Sequence, residues 1–89
     1  METVHLLISG KVQGVFFRQT AARMAERFNL KGWIKNRPDS KVETLITGTS
    51  DDIISFINWC KTGPEKADVT GVVVSKKPAI IFKKFEVLR

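Results

Sequence analysis

Cysteine and histidine are almost absent from this sequence. Its 89 residues include one cysteine, Cys60, and one histidine, His5. A single cysteine excludes an internal disulfide and is typical of a protein from a reducing compartment. One cysteine and one histidine also cannot supply the usual transition-metal ligand sets, so we expect no such metal site.

Long apolar runs are absent as well. None approaches the ~20 residues that a membrane-spanning helix requires. The first ten residues, METVHLLISG, lack both the basic segment and the long apolar segment of a signal peptide, so we expect no leader. The sequence therefore predicts a soluble, cytoplasmic protein without membrane attachment.

Acidic residues are fewer than basic ones. Fifteen Lys and Arg residues against nine Asp and Glu residues give a formal net charge of +6, without a polybasic tract. Such a surface attracts anions in general, from nucleic acids to small phosphorylated metabolites. Charge alone does not choose between these partners.

Hydrophobic periodicity predicts two amphipathic helices among four or five strands. The buried stripe of the first helix is Phe17, Ala21, Met24 and Phe28, and that of the second is Ile53, Phe56, Ile57 and Cys60. Ser50 is predicted to cap the second helix. The predicted elements are a strand from Val4 to about Gly10–Val12, a helix from Phe17 to about Asn29, hairpin strands over 31–36 and 41–48, a helix from Ser50 to about Lys61, a strand over 68–75 and a last short strand within 82–88.

The predicted order is β-α-β-β-α-β with a short terminal strand. It is typical of the ferredoxin-like split β-α-β sandwich, an α+β fold with two helices on one face of an antiparallel sheet. The length suits one domain with one core, so we expect a single domain over residues 1–89. Because this fold hosts many unrelated functions, the function must come from a site.

The first candidate site is VQGVFFR, residues 12–18, between the first strand and the first helix. Gly10 and Gly14 allow the backbone to curl so that successive N–H groups point inward, and a helix N-terminus favours an anion. Arg18 adds a permanently charged, planar fork to the same place. The segment is therefore either a phosphate cradle or a glycine-assisted turn beside a solvated arginine. The spacing leaves both open, since it matches neither the Walker pattern nor G-x-G-x-x-G.

The second candidate is Asn36, at the end of a strand just before the hairpin loop. Asparagine in this position often helps to form the turn. Its amide can also orient a water molecule, because it accepts with one atom and donates with the other. Other polar and aromatic residues have simpler roles, His5 as a strand residue, Cys60 as core, and Trp33 and Trp59 as packing or surface aromatics.

Three segments together resemble the acylphosphatase family. ISGKVQGVFFR, residues 8–18, resembles the first family signature, roughly G-x-V-Q-G-V-x-F-R, and it is highly specific. GWIKNRPDSKVETLITG, residues 32–48, is similar to the second signature, and GPEKADV, residues 63–69, fits the segment after the second helix. The resemblance spans nearly the whole chain. It implies a small, monomeric enzyme that hydrolyses the carboxyl–phosphate bond of acyl phosphates without metal, cofactor or covalent intermediate.

The resemblance also implies roles for individual residues. The family's phosphate-binding arginine corresponds to Arg18 and its water-orienting asparagine to Asn36. The loop amides implied to hold the phosphoryl oxygens are those of Gln13, Gly14, Val15, Phe16 and Phe17. The implied partners are a small-molecule acyl phosphate and inorganic phosphate, the latter as product and competitive ligand, with no obligatory nucleic acid.

One position departs from the family pattern. Ser40 stands where the family usually has glycine, so a turn that needs a positive φ would be strained there and could displace Asn36. Two other functions therefore stay open at this point. One is an anion binder that has lost turnover, and the other is a basic nucleic-acid-binding module of the same fold, although no RNP1-like stretch occurs.

Overall fold

Five strands and two helices follow one another in the predicted order. The computed structural model describes residues 1–89. Its elements are β1 (Glu2–Lys11), α1 (Phe17–Arg27), β2 (Lys31–Asn36), β3 (Val42–Gly48), α2 (Ser50–Thr62), β4 (Asp68–Lys77) and β5 (Phe85–Val87). The longest helix has 13 residues, and neither helix is long and apolar enough to cross a membrane.

The strands form one sheet in the order β4-β1-β3-β2-β5. β1 pairs antiparallel with both β3 and β4, and β2 pairs antiparallel with β3, as the ferredoxin-like pattern predicts. β5 differs, because it lies parallel to β2 with Gly32 opposite Phe85. The chain reverses direction after β4 and crosses to the far edge, so the five-stranded sheet is mixed although its first four strands are antiparallel.

The core lies between the helices and one face of the sheet. Alternate residues of β1 and β3 point into it, and Thr44 among them satisfies its hydroxyl by donating to the carbonyl oxygen of Trp33 at 2.7 Å. The predicted helix stripes face the same core, although Met24, Phe28 and Ile57 are only partly buried. The fully buried core residues include Leu6, Ile8, Phe17, Ala21, Ala25, Ile34, Val42, Ile46, Phe56 and Cys60. Burial raises the pKa of the Cys60 thiol above its ordinary range, which fits the predicted packing role.

The cap of α2 corrects the sequence prediction by one residue. Thr49, not Ser50, is the N-cap, and its hydroxyl oxygen accepts from the Asp52 backbone amide at 3.3 Å. Thr49 has extended backbone angles, which direct its side chain towards the free amides of the first turn, whereas Ser50 is already helical. Just after the end of α1, Asn29 has a φ of 56°, a left-handed conformation that is common where helices end and that asparagine tolerates.

Ser40 does adopt a positive φ, 71°, in the loop between β2 and β3. A left-handed conformation costs a non-glycine residue about 1–2 kcal/mol. Glycine would remove that strain, but it also gains about 0.4–1 kcal/mol of conformational entropy in the unfolded chain. We expect Ser40→Gly to raise the free energy of unfolding by up to about 1.5 kcal/mol. Urea unfolding of Ser40→Gly and Ser40→Ala measures this, and equal stabilisation by alanine would contradict it.

Candidate active site

One cavity of about 310 Å³ brings the two candidate segments together. It lies where the β1–α1 loop meets the end of β2, and its lining residues are Val12, Gly14, Phe16, Phe17, Arg18, Gln19 and Asn36. An adjoining cleft shares Arg18, Gln19 and Asn36 and extends to Val87 and Arg89. Arg18 and Asn36, far apart in sequence, therefore face the same space.

The loop before α1 presents unpaired backbone amides. Gly14 has a φ of 73°, and Phe16, the N-cap of α1, has a φ of 62°. These left-handed residues curl the chain at the helix N-terminus. The amides of residues 13–16 donate no hydrogen bond to another protein group. Amides in the first turn of a helix also lack a helical partner, so the loop and helix together offer a set of free donors to an anion.

The guanidinium of Arg18 is half-buried and held by the C-terminal segment. Its Nη1 donates to the carbonyl oxygen of Leu88 at 2.8 Å. No carboxylate lies within salt-bridge distance of Arg18. The side chain is therefore oriented by a neutral acceptor, and its positive charge stays uncompensated beside the free loop amides.

Asn36 ends β2, where it pairs with Val42 of β3. The following loop is closed by two backbone bonds, from the Arg37 amide to the Lys41 carbonyl oxygen at 2.8 Å and from the Ser40 amide to the Arg37 carbonyl oxygen at 3.2 Å. The side-chain amide of Asn36 takes no part in the turn and bonds to no other protein group. It is free to contact a ligand in the cavity.

Two residues of the loop point away from the cavity. Val15 is buried in the core. The Gln13 side chain reaches the hairpin instead, where its Nε2 donates to the carbonyl oxygens of Arg37 and Lys41. Neither residue lines the cavity, so only their backbone amides, which have no protein partner, remain as candidate donors to an anion. The sequence did not predict two further groups at the site, Gln19 in the cavity lining and the Leu88 carbonyl that holds Arg18. Only Gln19 could have been suspected, because it follows Arg18 at the start of a helix.

A cluster of charges flanks the hairpin on the sheet face opposite the helices. Glu43 bonds to His5, with 2.7 Å between Oε2 and Nε2, and its Oε1 lies 3.7 Å from Lys35 Nζ and 3.5 Å from Arg37 Nη1. His5 is thus a satisfied strand residue, as predicted. The hydrogen bond with His5, aided by the positive charges of Lys35 and Arg37, lowers the pKa of Glu43 below its ordinary value. Arg37 also binds Asp39, and their hydrogen bond lowers the pKa of that carboxyl.

The lowered pKa of Glu43 predicts a pH dependence of stability. The folded state holds this carboxylate ionised more strongly than the unfolded chain does, so its stabilisation is present above pH 4.5, the ordinary value, and is lost as pH falls through the lower folded pKa. We expect wild type to lose more unfolding free energy between about pH 5 and pH 3 than Glu43→Gln loses. Urea titrations across this range measure the difference. Equal losses in the two proteins would show that Glu43 makes no such contribution.

The remaining singled-out residues serve packing or lie on the surface. The Trp59 ring packs against Phe17 and Phe56, with centroid distances of 5.3 and 6.0 Å. The Lys35 ammonium lies 5.3 Å from the ring centroid of Trp33. No group of three or more His, Cys, Asp or Glu side chains is close enough to share a metal ion.

Comparisons with known proteins show the family of this chain and agree with its fold. A family profile described as "Acylphosphatase" matches residues 4–87. The chain is 42% identical to an acylphosphatase of Methylococcus capsulatus over 91 residues, which cover 100% of this chain and 98% of the relative. Its fold is similar to the crystal structure of an acylphosphatase from Bacillus subtilis, with a TM-score of 0.96 and 31% identity over 100% of both chains. An acylphosphatase structure from Coxiella burnetii gives a TM-score of 0.95 and 36% identity, over 98% of this chain and 92% of that one.

Proposed function

The chain belongs to the acylphosphatase family and hydrolyses acyl phosphates, and we propose that Arg18, the loop amides and Asn36 carry out this reaction by direct attack of water. The observation that carries the proposal is their meeting in one cavity. There an arginine without an acidic partner, free backbone amides and an unbonded asparagine amide face one another. No metal, cofactor or covalent intermediate takes part in the proposed reaction.

The phosphoryl group binds at the loop. The amides of Gln13, Gly14, Val15, Phe16 and Phe17 donate to its oxygens, and Arg18 adds charge-assisted bonds through the donors that Leu88 does not use. Phosphoryl transfer through a loose transition state demands mainly positioning and charge stabilisation. The carboxylate is a good leaving group, so the enzyme does not need a strong acid beside it.

Asn36 places the attacking water. Its side-chain oxygen accepts a hydrogen bond from the water and its NH₂ group donates to the water, which orients the water for attack in line with the departing carboxylate. No histidine lies in the cavity, since His5 bonds to Glu43 on the other face of the sheet. The water's proton therefore passes to a phosphate oxygen. A rate that falls as pH drops below about 6.5, as expected for a histidine base that becomes protonated, would contradict this step.

The acyl group occupies the adjoining cleft towards Val87 and Arg89, which shares its other lining residues with the phosphate cavity. Inorganic phosphate, the second product, binds the same loop and competes with the substrate. We further propose that the enzyme acts as a cytoplasmic monomer, as the single cysteine and the family resemblance suggest.

Hydrolysis of benzoyl phosphate with a chelator present tests the proposal. The absorbance of benzoyl phosphate reports the loss of the acyl phosphate directly. Inorganic phosphate should inhibit the reaction competitively. Turnover that disappears with the chelator and returns with added metal would contradict the metal-free reaction. Absence of turnover by the folded protein would contradict the function itself.

A further inference from the structure

The Gln13 side chain joins the phosphate loop to the hairpin that carries Asn36. Its Nε2 donates to the carbonyl oxygen of Arg37 at 2.9 Å and to that of Lys41 at 3.0 Å. Both hydrogens of the amide are therefore used. No other side-chain hydrogen bond connects the loop with this hairpin. Gln13 is absent from the residues that line the cavity, so its side chain contacts the structure around the site and not the ligand space.

The two acceptors lie at the base of the hairpin. Arg37 directly follows Asn36, and the Lys41 carbonyl oxygen also accepts from the Arg37 amide at 2.8 Å. The Gln13 side-chain amide thus bonds to both arms of the hairpin next to Asn36, the last residue of β2. The opposite face of the hairpin is held by Glu43 and Asp39 through Arg37, but these ion pairs make no contact with the loop.

We propose that the Gln13 side chain is a positioning residue that sets the distance between Asn36 and the phosphate loop. The proposed reaction places the phosphate on the loop and the water on Asn36. The distance between Asn36 and the loop therefore determines how far the water lies from the phosphorus atom. The inference rests on the proposed function. It assigns the Gln13 side chain a role separate from that of its backbone amide.

The tolerance for error in this distance is small. A displacement of about 1 Å in a reacting group costs about 10²-fold in rate. Without the two hydrogen bonds the hairpin keeps its strand pairing and its ion pairs, so it stays folded but loses its link to the loop. Asn36 then moves relative to the bound phosphate, while the loop amides and Arg18 keep their own geometry.

The first test is a double-mutant cycle with benzoyl phosphate as substrate. We expect Gln13→Met, which keeps the length of the side chain but donates no hydrogen bond, to lower kcat by about 10- to 100-fold and to leave the inhibition constant of inorganic phosphate unchanged. In an Asn36→Ala background the same change should lower kcat no further, since no positioned asparagine remains. Equal losses in both backgrounds would overturn the proposal, and so would weaker phosphate binding.

The second test uses Gln13→Glu. An ionised carboxylate facing two carbonyl oxygens repels them, whereas the protonated acid donates one hydrogen bond. The kcat of Gln13→Glu should therefore rise towards the wild-type value as pH falls, while Gln13→Met shows no such rise. A flat profile for Gln13→Glu would contradict the proposal even if Gln13→Met folded poorly. Turnover by the wild-type protein distinguishes failure of the proposed function from failure of this inference. If wild type shows no turnover, the proposed function is contradicted. If wild type turns over but the losses from Gln13→Met and Asn36→Ala simply add, only the role of the Gln13 side chain is contradicted.

Discussion

Replacing Arg18 by alanine is expected to lower kcat/KM for benzoyl phosphate by at least about 10²–10³-fold, the loss typical of one strong transition-state donor. Charge builds up on the phosphoryl oxygens during transfer, and Arg18 is the permanent positive charge that faces the loop amides in the cavity. No carboxylate neutralises it, so its charge is available to a phosphate bound in the cavity. The same variant should bind inorganic phosphate more weakly, since the guanidinium also contacts the ground state.

Arg18→Lys separates the charge from the geometry. Lysine keeps the positive charge but lacks the planar fork, so it does not reproduce the fixed geometry in which one end of the guanidinium donates to Leu88 and the other is proposed to bind the phosphate. We therefore expect activity between those of wild type and alanine. The matched control is Arg23→Ala, which removes the same charge from the exposed side of the same helix.

The measurement is steady-state hydrolysis with a chelator present, together with the inhibition constant of inorganic phosphate. If Arg18→Ala and Arg23→Ala lost activity equally, the effect would come from net charge, and the assigned contact would be wrong. A nucleic-acid-binding module of this fold would instead show binding that weakens steeply with salt and survives the loss of Arg18.

Replacing Asn36 by alanine should lower kcat by about 10²-fold, the loss typical of a misplaced reacting group. In the proposed mechanism Asn36 contacts the water and not the phosphate, so the inhibition constant of inorganic phosphate should stay close to the wild-type value. The two variants should therefore show different patterns. Arg18→Ala weakens phosphate binding as well as turnover, whereas Asn36→Ala weakens turnover alone.

The lower kcat of Asn36→Ala should not come from a less stable fold. The side chain of Asn36 makes no hydrogen bond in the hairpin, which is closed by backbone bonds and by Gln13. Asn36→Ala should therefore unfold at nearly the wild-type urea concentration, with Asn58→Ala on the exposed side of α2 as the control. An equal fall of phosphate affinity in Asn36→Ala and Arg18→Ala would contradict the division of roles.

The backbone conformation of Ser40 was partly predictable from the sequence. The sequence identified the position as one that could need a positive φ, and the structure has 71° there. The turn therefore keeps the conformation that glycine would adopt, and the cost is local strain. What the sequence left open was whether serine would change the turn type, since that depends on the bonds that close the hairpin around it.

The helices, the strands and the segment before α1 followed from the sequence alone, because hydrophobic period and turn residues act over a few positions. Residues 12–18 could be recognised as a candidate anion site from glycine and arginine at a helix start. The predicted cap of α2 was wrong by one residue, because Thr49 and Ser50 are both good caps and only the backbone angles decide between them.

Only the tertiary structure decided which distant groups meet at the site. Arg18 bonds to Leu88, 70 positions away, and Gln13 bonds to Arg37, 24 positions away. Hydrophobic period reports whether a side chain is buried and does not report its partner. Those partners depend on the strand order β4-β1-β3-β2-β5, which sets β2 and β5 beside α1 and brings Asn36 to the β1–α1 loop. The elements of this protein are local properties of its sequence, whereas the site is a property of how the strands pair.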